Sequence, residues 1–257
     1  MPSPTSPKDA PDRFAPLLEG LRNAKHCVAL TGAGVSTLSG IPDFRGPAGL
    51  YSRKGISEDD LEIGRFRRDP QRFYSIAKEL LLAPLRYKPS LVHEELARME
   101  SLGIVKAVLT QNIDGLHEEA GSRLVLNLHG SLRRDYLCLD CWTSCSSALV
   151  LQWLQEDRQV VCPSCGGRLK PDVVFFGEDL DHDTIDQARE HATKADLLLV
   201  LGTSLQVAPV DAIPRLTLDA GGKVFIVNAQ PTFLDGRAAW RHTDLQSTFS
   251  ATKAHLA

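Results

Sequence analysis

The chain has 257 residues, too long for one minimal domain and short for two full ones, because a domain takes about 100 to 200 residues. Hydrophobic residues make up 43% and charged residues 24%, close to the globular average, so we expect one large core with a smaller module beside it. The net charge of -3 argues against a dedicated nucleic-acid binder, and no apolar run approaches the ~18 to 20 residues of a membrane span.

The N-terminal segment lacks the features of a secretory signal. MPSPTSPKDAP has no apolar core, so we expect the protein to be cytoplasmic. Residues 1–7 are rich in Pro and Ser and are predicted to form a disordered tail.

The first predicted strand, Cys27 to Leu30, runs into a glycine-rich turn. Gly32, Ala33 and Gly34 are small residues that would let the backbone approach a ligand, and amides at a helix start can hold a pyrophosphate. The next glycine comes only at Gly40, so the turn departs from the six-position dinucleotide fingerprint. By itself the turn only suggests a nucleotide site.

Short apolar runs separated by helical segments continue along the chain, which predicts an α/β fold built on a Rossmann-like parallel sheet with helices on both faces. The further predicted strands are 104–109, 124–128, 197–201 and 224–227. The motifs TQNID, HGS, GTS and VNAQ follow these strands, as TGAG follows the first. Ligands of such sheets bind at the carboxyl ends of the strands. The five motifs are therefore predicted to converge on one crevice.

Two stretches interrupt this alternation and predict a small second domain. Residues 51–102 have helical periodicity and form a helical insertion with the cofactor loop, and residues 133–170 hold five of the six cysteines and form a zinc-ribbon insertion. The Rossmann-like domain would then comprise residues 8–50, 103–132 and 171–257. An arginine cluster in the first insertion is interpreted as a solvated face: Arg65, Arg67, Arg68 and Arg72.

Two cysteine pairs predict a metal site. Cys138 and Cys141 are separated by 20 residues from Cys162 and Cys165, a spacing typical of tetrahedral zinc. Four thiolates fill the coordination sphere, so the ion would be structural. The alternatives are disulfides, which a cytosolic chain rarely keeps, and a pair formed by Cys141 and Cys145.

Two motifs offer candidate catalytic groups. Asn112 and Asp114 place an amide and a carboxylate at a strand end, where they can bind a small polar ligand or simply cap the next helix. His129 ends the strand at 124–128, and with an ordinary pKa of ~6.5 it is a candidate general base. The alternative for His129 is a structural role.

The run GIPDFRG at 40–46 resembles the cofactor loop of sirtuins, the NAD-dependent protein-lysine deacylases, and the later motifs follow in that family's order from about Phe14 to Phe249. The resemblance implies NAD as co-substrate and one structural zinc ion held by the four cysteines. The implied NAD-binding residues are Gly32, Ala33, Gly34, Ser36, Thr37, Ile41, Asp43, Phe44, Arg45, Gln111, Asn112, Ile113, Asp114, His129, Gly202, Thr203, Ser204 and Asn228.

The resemblance also implies a reaction. Acetyl would leave a substrate lysine and give nicotinamide, 2'-O-acetyl-ADP-ribose and the deacetylated protein, with His129, Asn112 and Asp114 as the catalytic residues. Phe44 would cover the site and exclude water. No protein nucleophile is required.

The segment PDVVFFGE at 171–178 resembles the substrate loop of sirtuins, and VAP at 207–209 resembles its partner. A protein that carries acetyl-lysine would bind there as an extended peptide. We expect no direct binding of nucleic acid or membrane, and we expect the enzyme to be a monomer. The implied substrate-binding residues are Val174, Phe176, Gly177, Glu178 and Val207. The alternative is that Val173 to Phe176 is a buried strand that fills the core.

The preferred acyl group follows from a helix motif. Family members that prefer acidic acyl groups resemble one another in a Tyr-x-x-Arg pair, whereas this chain has Tyr74 and Ala77 at the matching positions. A carboxylate-tipped acyl group would lack its bidentate partner, so acetyl is favoured.

Three other functions remain open from the sequence. The same fold could transfer ADP-ribose to a protein side chain or remove other acyl groups. A silent NAD-sensing or zinc-ribbon module would not need Asn112, Asp114 and His129 together. A dehydrogenase would usually carry an acidic residue at the end of the second strand, and we find none.

Overall fold

The strands form one large parallel sheet and one small antiparallel sheet. The computed structural model describes residues 10–43, Gly49, residues 57–82 and residues 86–256. Within these residues the strands are β1 Cys27–Thr31, β2 Val105–Thr110, β3 Val125–Asn127, β4 Tyr136–Cys138, β5 Ser144–Cys145, β6 Leu169–Lys170, β7 Leu197–Leu201, β8 Lys223–Val227 and β9 Trp240–His242. The predictions for Phe44, Arg45 and the tail 1–7 lie outside the described residues.

The helices alternate with the strands of the large sheet. They are α1 Ala10–Asn23, α2 Ala33–Thr37, α3 Ile63–Arg68, α4 Pro70–Leu81, α5 Leu91–Ser101, α6 Leu116–Glu119, α7 Ser147–Gln155, α8 His182–Lys194, α9 Ile213–Asp219 and α10 Leu245–His255. In the described part of the chain, no helix combines the length and apolar character needed to cross a bilayer.

Side-chain caps fix where several helices begin. Asp69 accepts the Arg72 amide at the start of α4 (3.0 Å), and Asp244 accepts the Ser247 amide at the start of α10 (3.0 Å). Each cap satisfies an amide that has no partner within its own helix. Helices α4 and α10 therefore begin at defined residues.

The large sheet has the strand order β3-β2-β1-β7-β8-β9, with every pair parallel. Thr31 lies opposite Thr110 on one side and Leu201 on the other, so these strands end at the same level. All five predicted strands are confirmed to within a residue or two at their ends. Strand β9 was not predicted, because its three half-buried residues make no apolar run.

Apolar side chains cover both faces of the large sheet. One face packs residues such as Leu21, Leu96 and Phe249, and the other packs residues such as Ile185 and Ile213. Burial on both faces explains why the strands are apolar throughout rather than alternating. The predicted fold class, helices on both faces of a parallel sheet, is confirmed.

A separate apolar core unites the two insertions. Phe66 and Phe73 from the helical insertion pack with Tyr136 and Trp153 from the zinc-ribbon insertion, and Phe175 joins them. The small sheet, in the order β5-β4-β6, lies in this unit. The insertions therefore bury one common core.

Helix α5, part of the predicted helical insertion, packs elsewhere. Val92, Leu96 and Met99 are fully buried in the core of the large sheet. We propose a two-domain division in which α5 belongs with the Rossmann-like domain and residues 57–82 and 133–170 make up the small domain.

The arginine cluster of α3 and α4 is partly structural. Arg65 and Arg72 form ion pairs with Asp60 at 3.3 and 3.1 Å, and Asp60 is only 6% exposed. The Ser57 amide and, to a lesser extent, the Arg72 guanidinium hold the pKa of Asp60 below its usual range. Two of the four arginines therefore neutralise a buried carboxylate.

Candidate NAD and peptide site

A cavity of about 1570 Å³ opens at the carboxyl ends of the large sheet's strands. The loops after β1, β2, β7 and β8 line it, and the segment 173–180 closes another side. This volume exceeds that of the usual single-ligand pocket, about 300 to 1000 Å³, so it can hold a dinucleotide together with a substrate side chain. The predicted convergence of the strand-end motifs on one crevice is observed.

The glycine turn after β1 packs directly on the turn after β7. A Cβ on Gly34 would lie 2.6 Å from Gly202 Cα, and a Cβ on Gly202, whose φ is +61°, would lie 2.7 Å from the Val35 nitrogen. The Gly34 amide also donates to the Gly202 carbonyl at 2.9 Å. These glycines are required by contact between two loops, not only by a ligand as the sequence suggested.

A buried polar network lies beneath the cavity. Asn112 Nδ2 donates to the Gly32 carbonyl (3.1 Å) and to Ser36 Oγ (2.9 Å), and Ser36 Oγ donates to Asp114 Oδ2 (2.7 Å). Among the described residues, the cavity wall includes Asn112 but not Ser36 or Asp114. Ser36 and Asp114 are therefore connected to the cavity wall through the hydrogen bonds of Asn112.

Asp114 also satisfies the capping alternative, because its Oδ1 accepts the Leu116 amide at 2.9 Å where α6 begins. Burial raises the pKa of Asp114, while the Leu116 amide, Ser36 hydroxyl and Arg133 guanidinium act in the opposite direction. Capping and network formation are compatible, because each uses a different carboxylate oxygen.

His129 lines the cavity and is oriented by the backbone. Its Nδ1 lies 3.1 Å from the Gln111 carbonyl oxygen, which can only accept a hydrogen bond. In the neutral ring, Nδ1 therefore carries the proton and Nε2 is free to accept one. Burial lowers the pKa of His129 from its usual 6.5, against an opposing effect of the Gln111 hydrogen bond. The ring is thus in its basic form at neutral pH.

The backbone around His129 is joined to the predicted substrate loop. Gly130, with φ +77°, pairs with Val173 in an antiparallel bridge, and the Val174 amide donates to the His129 carbonyl at 2.9 Å. A Cβ on Gly130 would lie 2.1 Å from the Asp172 carbonyl oxygen. Only glycine permits this approach of the two chains.

Burial alternates along the substrate loop, although residues 173–176 all line the cavity. Val173 and Phe175 are buried in the small core, whereas Val174 is half-buried and Phe176 is 37% exposed. This period of two is that of an extended chain. The core-filling alternative therefore holds for Val173 and Phe175, while the substrate contacts of Val174 and Phe176 stay a prediction.

Glu178 lines the cavity but already has partners. Its Oε2 accepts the Phe175 amide at 2.9 Å and pairs with Lys170 at 2.9 Å. Gly177, with φ +84°, makes the turn between them. Both residues thus shape the substrate loop, and Val207 lies on another segment of the cavity wall.

The remaining predicted residues divide into wall and support. Gln111 Nε2 donates to Thr203 Oγ1 at 2.9 Å, linking the loops after β2 and β7. Ile41 packs against Leu116 and Tyr87, away from the wall. The other predicted residues that line the cavity are Gly32, Ala33, Gly34, Thr37, Asp43, Ile113, Gly202, Ser204 and Asn228.

The sequence analysis did not predict that one face of α8 borders the cavity. His182, Ile185 and Arg189 line the cavity and recur at helical spacing on this helix. That periodicity could identify the shared face, but not that the face borders the cavity.

The four predicted cysteines come together in the small domain. The Sγ atoms of Cys138, Cys141, Cys162 and Cys165 all lie within 4.8 Å of one another, with two pairs at 3.6 Å. Zinc with bonds of about 2.3 Å in a tetrahedron requires sulfurs about 3.8 Å apart, so the cluster fits the ion. The cluster lies apart from the described cavity wall, as expected for a structural site.

Cys145 is not a member of this cluster. It pairs with Tyr136 across the small sheet and is 4% exposed in the apolar core. Burial raises the pKa of its thiol. The competing pair of Cys141 and Cys145 is therefore excluded.

A parallel sheet whose loops enclose a dinucleotide-sized cavity, beside a small domain with a four-cysteine metal site, defines a nucleotide-binding α/β protein. Residues 32–209 match the Sir2 family. The chain belongs to this family, as its motifs predicted.

Relatives support the assignment across most of the chain. A Thermotoga maritima protein named NAD-dependent protein deacetylase is 41% identical over 225 residues, or 88% of this chain and 90% of that protein. Pyrobaculum aerophilum has a protein named NAD-dependent protein deacylase 2 that is 42% identical over 230 residues, or 85% and 88%.

Solved Sir2 structures superpose on most of this chain. A Sir2 structure with a deacetylated peptide and 3'-O-acetyl-ADP-ribose superposes with a TM-score of 0.89 at 37% identity, covering 95% of this chain and 98% of that one. A Sir2 structure with a propionylated peptide superposes with a TM-score of 0.85 at 36% identity, covering 94% and 98%.

Proposed function

We propose that the protein is an NAD-dependent protein-lysine deacetylase that produces nicotinamide, 2'-O-acetyl-ADP-ribose and the deacetylated protein. The observation that carries this conclusion is the position of His129, a basic imidazole on the wall of a cavity that also includes the strand-end loops and the substrate loop. The names of the relatives, and the ligands of the related Sir2 structures, agree with it.

NAD supplies an electrophilic ribose carbon, from which nicotinamide departs when the acetyl oxygen attacks. His129 Nε2 accepts a proton from a ribose hydroxyl, since Nδ1 is engaged by the Gln111 carbonyl. Asn112 orients the nicotinamide end, and its own orientation is fixed by Gly32 and Ser36. Asp114 acts through Ser36, as a support for Asn112.

The remainder of the predicted set binds the two substrates. The loops after β1, β2, β7 and β8 hold NAD, and the side chains of Val174 and Phe176 form an apolar sleeve for the acyl-lysine. An apolar sleeve suits a neutral acetyl-lysine and disfavours a charged lysine, so the product is released. The protein substrate binds as an extended peptide between the substrate loop and the segment of Val207.

The small domain supports the preference for acetyl. The Tyr74 hydroxyl donates to the Leu169 carbonyl at 2.8 Å, and Ala77, 5% exposed, takes the place of a cation. A carboxylate-tipped acyl group would therefore lack a guanidinium partner in this helix. Acetyl is the preferred substrate, and propionyl or longer neutral groups are secondary.

Two further features belong to the proposal. The enzyme acts as a monomer, because one chain supplies all the strand-end loops and the substrate loop of the cavity. It works in the cytoplasm, where four thiols stay reduced and available to zinc.

The test is an assay of the full chain with NAD and an acetyl-lysine peptide, following peptide mass and free nicotinamide together. We expect loss of one acetyl matched by nicotinamide, abolished in His129→Ala and retained in the control His191→Ala. ADP-ribose label on the peptide would replace the proposal with ADP-ribosyl transfer. If neither product forms, the protein is a binding module and not an enzyme.

A further inference from the structure

Two histidines are buried side by side behind the site. His93 of α5 is 0% exposed and His117 of α6 is 1% exposed, and their ring centroids lie 4.6 Å apart. Buried polar rings need hydrogen-bond partners, so their protonation can be worked out from those partners.

The partners of His93 define its tautomer. Its Nδ1 lies 3.1 Å from the Ser90 nitrogen, whose N–H can only donate. His93 Nδ1 is therefore an acceptor, and in the neutral ring Nε2 carries the proton. The Ser90 hydroxyl lies 2.8 Å from the same nitrogen and 3.0 Å from the Val35 carbonyl oxygen of α2, and it can share its proton between the two.

The partners of His117 define its tautomer as well. Its Nε2 lies 2.9 Å from Thr31 Oγ1, and the Thr31 hydroxyl donates to Thr110 Oγ1 at 2.9 Å. Because the one hydroxyl proton of Thr31 is donated to Thr110, Thr31 Oγ1 accepts a hydrogen bond from His117 Nε2. His117 therefore carries its proton on Nε2, which leaves Nδ1 as an acceptor.

The two nitrogens left over are complementary. His93 Nε2, a donor, and His117 Nδ1, an acceptor, are both buried and have no hydrogen-bond partner among the described residues. Leaving both unsatisfied would destabilise the fold, because each group loses its hydrogen bonds to water on burial. One buried water that accepts from His93 Nε2 and donates to His117 Nδ1 would satisfy both at once.

We propose that His93 and His117 form a neutral pair bridged by one buried water, and that the two rings act as positioning residues for the NAD-binding loops. One end of the pair reaches α2 through Ser90 and Val35. The other reaches the Asn112 amide, which donates to Thr110 Oγ1 at 3.1 Å. The pair thus fixes the glycine turn and the Asn112 loop relative to each other; its kinetic consequence rests on the proposed function.

The protonation is tested directly by ¹⁵N NMR of the full-length, zinc-loaded protein, independent of activity. We expect both rings to be neutral and protonated on Nε2 between pH 8 and about pH 5, because burial lowers both pKa values and each ring is the other's titratable neighbour. A ring protonated on Nδ1, or doubly protonated at pH 6, overturns the proposal.

The positioning role is tested by kinetics, scaled to the amount of folded protein. We expect His117→Leu to lower kcat/KM for NAD by roughly tenfold to a hundredfold and to leave the KM for the acetyl peptide unchanged, since misplacement of a supporting group acts on that scale. His117→Gln, which keeps a donor and an acceptor, should recover most of the loss. Equal activity of Leu and Gln variants overturns the proposal.

A matched control and a milder variant keep the result clear. His26 and His191 form another histidine pair, with nitrogens 3.3 Å apart, and neither contacts the glycine turn or the Asn112 loop. His191→Leu should leave kcat/KM for NAD unchanged. If His117→Leu does not fold, Thr31→Val is used instead, because it removes the hydroxyl that bonds to His117. Thr31→Ser keeps that hydroxyl and should retain the activity. An inactive wild type would refute the proposed function but not the tautomers.

Discussion

Single atoms decide the geometry at several positions of the site. Gly34, Gly202 and Gly130 each lie where a Cβ would meet backbone within 3 Å. Backbone cannot yield as the end of a flexible side chain can, so these positions specify glycine through contact between loops. The sequence showed where the glycines are but not which chain they face, because that contact joins residues far apart in the chain.

The Gly34→Ala variant should lose stability by about 1 to 3 kcal/mol, as expected when a methyl is forced into packed structure. The new Cβ would lie 2.6 Å from Gly202 Cα. Urea unfolding measures the loss, and kcat/KM for NAD should fall with it. Gly236→Ala is the control, because its Cβ meets nothing within 4 Å. Equal stability of both variants would refute the contact.

The pH dependence of kcat/KM should report His129. Burial lowers its pKa below 6.5, and the base is active when unprotonated, so activity falls as pH drops through that lowered value. The midpoint of the acid limb is therefore expected below pH 6.5. A midpoint above 6.5 in the initial-rate profile would argue against His129 as the base.

At the scale of elements, the short polar motifs meet at one site because the parallel strands that precede them end at the same level. The register that aligns Thr31, Thr110 and Leu201 brings their following loops to one cavity. The Asp69 and Asp244 caps then fix the starts of α4 and α10. The zinc cluster similarly holds the small sheet, whose strands have only two or three residues.

Zinc should be present at one ion per chain, and Cys138→Ser should abolish it. A ribbon with such short strands has little cohesion of its own, so we expect the small domain to unfold at lower urea without metal. Elemental analysis and urea midpoints measure both effects. Cys145→Ser, which changes a buried thiol outside the cluster, should keep the ion; its loss there would contradict the ligand set.

The sequence predicted the elements better than their partners. Apolar runs located five strands, and cysteine spacing gave the metal ligands, because both signals are local. Strand β9 escaped because it is short and half-buried. The contact between Asp114 and Ser36, beneath Asn112, could not be predicted because the two residues lie 78 positions apart in the chain. His93 was overlooked because His117, the ring beside it, lies 24 residues away in the chain.

For the whole molecule, the cavity draws its wall from both of the proposed domains. Phe73 and Leu81 come from the small domain, whereas Asn112 and Asn228 come from the large one. A ligand that fills the cavity therefore contacts two separately packed cores. Binding should stabilise the protein as a unit.

NAD at 100 times its Kd should raise the thermal midpoint by roughly 5 to 10 °C, since such binding adds about 2.7 kcal/mol and a chain of this size shifts 2 to 4 °C per kcal/mol. A thermal melt with and without NAD measures the shift. The Gly236→Ala variant should retain it and Gly34→Ala should lose much of it. No shift at any NAD concentration would refute NAD binding.

The main-chain link between His129 and the substrate loop leaves room for engineering. The Gly130–Val173 bridge and the Val174 amide bond to the His129 carbonyl involve no side chain at 174 or 176. Substitutions there should widen or narrow the proposed acyl sleeve while His129, the proposed base, keeps its position. Libraries confined to Val174 and Phe176 should therefore yield enzymes with new acyl preferences and an unaltered proton-transfer step.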